Sequence, residues 1–162
     1  MILSAFTLFH VLLSLAGIGT GFVVLYGLLS SRRFEGWTTL FLSTTVATSV
    51  TGFFFPYHGF KPAHAVGIIS LIVLAIAIYA RRSRRLEGAW GRTYIVTAIL
   101  SLYLNVFVLI VQLFQKVPSL NTLAPTQSEP PFQITQLAIL VLFVALTIRA
   151  AVRFRRHSLS TA

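Results

Sequence analysis

The chain has 162 residues, of which 56% are hydrophobic and 10% charged, with 13 basic side chains against 3 acidic ones, a formal net charge of +10 and no cysteine. That balance lies outside the range of soluble domains, whose charge is spread over a water-facing surface, and the missing thiols exclude disulfides, iron–sulfur clusters and cysteine nucleophiles. Because the positive charge flanks apolar runs instead of forming a soluble module, it points to a bilayer with anionic lipid headgroups and away from nucleic acid.

Five apolar runs, near residues 3–29, 37–55, 64–79, 93–114 and 134–151, each approach the ~17–25 residues that an apolar helix needs to cross the hydrocarbon layer. They predict an all-α polytopic bundle of five transmembrane helices, followed by a short basic tail at 153–162. Arg32 and Arg33 follow the first run, Arg81, Arg82, Arg84, Arg85 and Arg92 the third, and Arg149, Arg153, Arg155 and Arg156 the last. Only Lys61 and Lys116 fall in the other two connections. Basic residues at helix ends are retained in the cytoplasm, so this alternation predicts an N-terminus outside and a cytoplasmic C-terminus.

The first run lacks a basic leader and a small-residue cleavage signature, and it reads as a retained helix. Its His10, Ser14, Gly17 and Gly21 share one face. Gly17 and Gly21 form a G-x-x-x-G pair that lets another helix backbone approach closely. The second run opens at Gly36–Trp37, with the indole suited to headgroup level, and then carries many threonines and serines. Their hydroxyls return to carbonyls one turn earlier, so the helix crosses lipid without orphan donors. Dense hydroxyls of this kind serve close packing or a hydroxyl-lined path, through Thr44 and Thr48.

Pro56 closes the second run and Pro62 opens the third, bringing His58 and His64 to the same surface across a short hairpin. The words Arg32-Arg33-Phe34-Glu35-Gly36-Trp37 and Arg84-Arg85-Leu86-Glu87-Gly88-Ala89-Trp90 resemble each other. They predict two copies of a helical hairpin about an approximate two-fold axis along the membrane normal. The fourth run sets Tyr94, Thr97, Ser101, Asn105, Gln112 and Gln115 along one stripe. Asn105 demands a partner, because lipid satisfies neither its amide donors nor its acceptor. Four prolines between Lys116 and Gln133 prevent a sixth crossing, and the segment reads as a folded cap or a disordered link.

Glu35, Glu87 and Glu129 all fall in connections, which disfavours carboxylate-based proton pumping and paired-carboxylate hydrolysis. No nucleotide-binding glycine loop, H-E-x-x-H or G-x-S-x-G motif is present, and no catalytic residue is assigned. His10, His58 and His64, joined by Tyr57 and by Asn121 or Glu129, are the candidate ligands for haem, a divalent metal or a quinone. The same imidazoles serve equally as a pH-sensitive entrance or as helix crosslinks.

The Gly36–Trp37 helix start, the Gly59-Phe60-Lys61-Pro62-Ala63-His64 hairpin and the arginine-rich connection before the fourth run resemble small bacterial multi-pass inner-membrane proteins of a domain-of-unknown-function family. The resemblance implies a bacterial inner-membrane location and brings no activity with it. The sequence therefore supports a small transporter or channel acting as a homo-oligomer, lined by Thr44, Thr48, Ser101, Asn105 and Gln112. A redox subunit built on the histidines and an accessory subunit of a larger membrane complex are the alternatives.

Overall fold

A computed structural model describes the backbone at residues 2–55 and 62–160 and the side chains at 4–55 and 64–154. Among these residues there are six helices and no strand: α1 (Ile2–Leu29), α2 (Glu35–Gly52), α3 (Pro62–Arg82), α4 (Ala89–Lys116), α5 (Pro118–Asn121) and α6 (Pro130–Ser160). Four stretches, Ser4–Ser30, His64–Arg82, Ala89–Lys116 and Pro130–Phe154, are long and apolar enough to cross a membrane. The hydroxyl-rich α2, which begins at Glu35, is not one of these four.

Helix ends follow local chemistry. The Arg32 amide donates to the Gly27 carbonyl at 2.8 Å around Ser31, whose φ of 55° is left-handed, and this Schellman-type closure stops α1. At the end of α3 the Leu86 amide reaches the Ala80 carbonyl at 3.1 Å, with Arg85 and Leu86 both in left-handed conformation. Glu35 sits in the first turn of α2, where a carboxylate complements the helix dipole. α6 runs through the segment expected to be a tail as far as Ser160, since no proline or glycine interrupts it.

α4 is the central element, packing against α1, α3, α5 and α6, while α2 lies between α1 and α3. Phe41, Leu74, Ile95, Ile99 and Leu102 form the enclosed centre together with Thr45 and Ser101. Small Ala77 and Ala80 are fully buried in α3, which packs on α4. Large apolar side chains such as Leu8, Leu12, Phe22, Ile72, Leu137, Val141 and Ile148 point outward. In water such a surface would drive association, whereas in a bilayer it meets its own solvent. α6 is the extreme case, with only 11% of its apolar window buried.

The helices alternate in direction, so the two ends of the bundle differ chemically. At one end Arg81 pairs with Glu35, Arg153 Nε donates to Ser31 Oγ at 3.1 Å, and Arg84 lies 5.2 Å from the Trp90 ring centre. At the other end Phe6 meets Phe55 at 5.0 Å and Phe114 meets Phe132 at 5.3 Å, measured between ring centres. Here the proline-rich connection packs back on the end of α4. Asn121 Nδ2 donates to the Phe114 carbonyl at 3.2 Å, Gln127 Nε2 donates to the Val111 carbonyl at 3.2 Å, and Ala124 is fully buried.

Candidate functional site

Three polar features interrupt the apolar bundle: a seam at its centre, a histidine at the aromatic end and a cavity at the arginine end. The seam exists because α1 offers no side chain at Gly17 and Gly21. A Cβ at Gly17 would stand 3.3 Å from the hydroxyls of both Thr44 and Thr45, and 3.6 Å from Asn105 Nδ2. At Gly21 it would stand 2.9 Å from the Phe41 ring and collide with Leu102. The glycine pair thus lets α1 approach α2 and α4 within a single chain.

Into this contact Asn105 projects from α4, and its Nδ2 donates to Thr45 Oγ1 at 3.2 Å. Neighbouring hydroxyls are turned onto their own helices: Ser101 donates to the Thr97 carbonyl at 2.8 Å and Thr44 to the Leu40 carbonyl at 2.7 Å. Thr48 is different, because its hydroxyl is buried with no partner among the described residues. Gln112 lies two turns further along α4 and is half-buried, apart from the Asn105–Thr45 contact. Gln136 in α6 was not singled out from the sequence, yet its Nε2 donates to the Phe107 carbonyl at 3.3 Å while its Oε1 is buried without a partner among the described residues.

At the aromatic end, His10 Nδ1 lies 2.8 Å from Thr51 Oγ1. That hydroxyl already donates to the Ala47 carbonyl at 2.7 Å, so Thr51 accepts and His10 donates through Nδ1–H. The imidazole edge rests on Phe55, with ring centres 5.1 Å apart and planes at 87°. His64 instead packs on Phe53, at 6.1 Å between centres. The two histidines accordingly flank different phenylalanines of the α2 end, while His58 and Tyr57 lie outside the described residues. Asn121 and Glu129 are engaged within the α4–α6 connection. Among the described residues no group of three histidine or carboxylate side chains could hold a metal ion.

The arginine-end cavity has a volume of about 100 Å³ and opens between the α1–α2 and α3–α4 turns. Arg32, Arg33, Arg81 and Glu35 line its mouth, and Val24, Leu28 and Ile95 its apolar interior. The Tyr94 hydroxyl meets the Thr38 side chain at its inner wall. Two glycines shape it: Gly27 admits the Phe34 ring and the Arg32 carbonyl, and Gly91 admits the Phe154 ring. The sequence marked the arginines as topology signals, Glu35 as a connection residue and Tyr94 as part of a polar stripe, without joining them. The convergence of the arginines with Glu35, Thr38 and Tyr94 follows from how the two hairpins pack. Comparison with known proteins finds no matching family model, no matching curated protein and no matching solved structure.

Proposed function

We propose that this chain is a five-span protein of the bacterial inner membrane, N-terminus outside and C-terminus cytoplasmic, working as a small homo-oligomeric transporter or channel. In this reading α2 is the fifth span, because its Thr44 and Thr51 hydroxyls donate to its own carbonyls and it packs between α1 and α3. The single observation that carries the transport reading is a file of polar side chains through an otherwise apolar bundle. It begins at Thr38 and Tyr94 beside the arginine-lined cavity, continues through Ser101, Thr45, Asn105 and the unpartnered Thr48 hydroxyl, and ends at the His10–Thr51 pair.

Phe41, 1% exposed, interrupts that file, so a route through one protomer needs α1 and α2 to separate from α4. Contacts of a second copy with the exposed apolar faces of α1 and α6 would hold the helices in that separated arrangement, which is the reason for assigning the activity to an oligomer. The arginine-rich mouth favours anions at that entrance. A redox subunit is supported less well, since His10 is held by Thr51 and His64 flanks a different side chain of α2.

Purified protein reconstituted in liposomes tests the proposal with chloride and phosphate as probes. The wild-type protein is expected to release them above the background of empty vesicles. Asn105→Leu should change that rate severalfold while costing roughly 0.6–1.7 kcal/mol of stability, the range of buried interhelical hydrogen bonds in membranes. Folded wild-type protein that leaves both ions trapped would remove the transport reading.

A further inference from the structure

The two similar sequence words, Arg-Arg-Phe-Glu and Arg-Arg-Leu-Glu, meet in space at the arginine end. Phe34 from the first and Leu86 from the second line the same cavity. Immediately beside it, Arg33 and Arg85 face a second, more open cleft of about 320 Å³, together with Arg81 and Arg82. Five arginines, Arg32, Arg33, Arg81, Arg82 and Arg85, thereby line the two clefts together with one carboxylate, Glu35. Glu35 pairs with Arg81, whose side chain is only 17% exposed. The remaining four have no carboxylate partner among the lining residues.

Backbone conformation concentrates at the same place. Four non-glycine residues among those described have positive φ, and three of them, Ser31, Arg85 and Leu86, line these two clefts. Left-handed conformations at such residues carry a conformational cost and recur at ligand clamps. Here they close the ends of α1 and α3, from which the two arginine-bearing loops start.

We infer that this double cleft is a binding site for a phosphate group, held by the arginines of both inner loops. Guanidinium forks match phosphate oxygens in pairs, and several together offset a charge that one arginine leaves unbalanced. The inner cavity is several times larger than a single water requires. Its apolar wall of Val24, Leu28 and Ile95 suits the ester side of a phosphate carried by a lipid, a type of site that basic pockets between membrane helices provide. The shared chemistry is phosphate, from an anionic headgroup or from solution. The inference does not depend on transport, because its readout is binding and not flux.

The full chain is placed in nanodiscs of phosphatidylcholine, whose phosphate charge is neutralised by its own choline, alone or mixed with phosphatidylglycerol, and its thermal midpoint is measured; separately, in detergent with inorganic phosphate, its thermal midpoint and bound phosphate are measured. A response confined to phosphatidylglycerol identifies the lipid as the source, and a response to inorganic phosphate identifies the free ion. Either supports the site. The double substitution Arg33→Gln and Arg85→Gln, which leaves the Arg81–Glu35 pair in place, should weaken retention by about tenfold or more, as expected for loss of charge-assisted hydrogen bonds. Arg92→Gln with Arg149→Gln, outside both clefts, should leave it unchanged. No response in either arm overturns the inference. So does an equal loss in the two double variants, which would mean diffuse attraction to a basic surface.

Discussion

Gly21 faces Phe41 and Leu102, each 1% exposed, so an added methyl group has nowhere to go. Gly21→Ala should lower stability by roughly 1–3 kcal/mol, the range for overpacking a filled core. Gly19, two residues away in the same helix, meets nothing within 4 Å of a built Cβ. Its change to alanine should be neutral or stabilise by about 0.5–1 kcal/mol. Thermal unfolding in one detergent compares the pair directly, and equal midpoints would contradict the packing assigned to α1. The sequence made Gly17, Gly21 and Asn105 legible, because small residues at helical spacing and an amide in lipid each demand a neighbour. It did not reveal Thr45 as the neighbour of Asn105. Hydroxyls occur around much of α2, and only the rotation of that helix in the bundle selects one. Gln136 escaped notice because it stands near the start of its apolar run, where a polar side chain suggests the membrane interface.

The apolar runs located all the long helices, but their limits moved outward in α3, α4 and α6. Arginine, glutamine and lysine continue a helix well, so loss of apolarity marks the edge of the lipid layer more closely than the end of the helix. The connection after α4 was open between a cap and a disordered link. It takes the folded form, with α5 and a turn packed on the end of α4, because Ala124 and Leu120 find apolar contacts there. Glu129 holds the turn: its carboxylate accepts from the Thr126 hydroxyl at 2.8 Å and from the Thr126 and Ser128 amides at 3.2 and 3.1 Å. Desolvation pushes its pKa up, but these hydrogen bonds together hold it below the usual carboxylate value. A folded pKa below the unfolded one means that the contribution is present above the unfolded value and fades as pH falls through the folded one. Hydrogen exchange at the Thr126 and Ser128 amides should therefore quicken, beyond its intrinsic pH dependence, on acidification through the carboxylate range. Glu129→Gln should remove that extra dependence, and its persistence in the variant would show that another group holds the turn.

At the scale of the molecule, charge alternation along the sequence corresponds to a bundle with one arginine-rich end and one aromatic end. The two similar loops, 32–37 and 84–90, both contribute to the same pair of clefts. Sequence alone did not indicate a cavity there, because its walls come from α1, α2, α3, α4 and α6 at once. In the proposed topology five spans carry the arginine-rich end inside and leave the chain termini on opposite faces. Because the chain has no cysteine, single cysteines can report this in intact cells, one added ahead of Met1 and another replacing Ser158. A membrane-impermeant maleimide should label the first before lysis and the second only after it. Labelling of both positions from the same side would contradict the five-span arrangement.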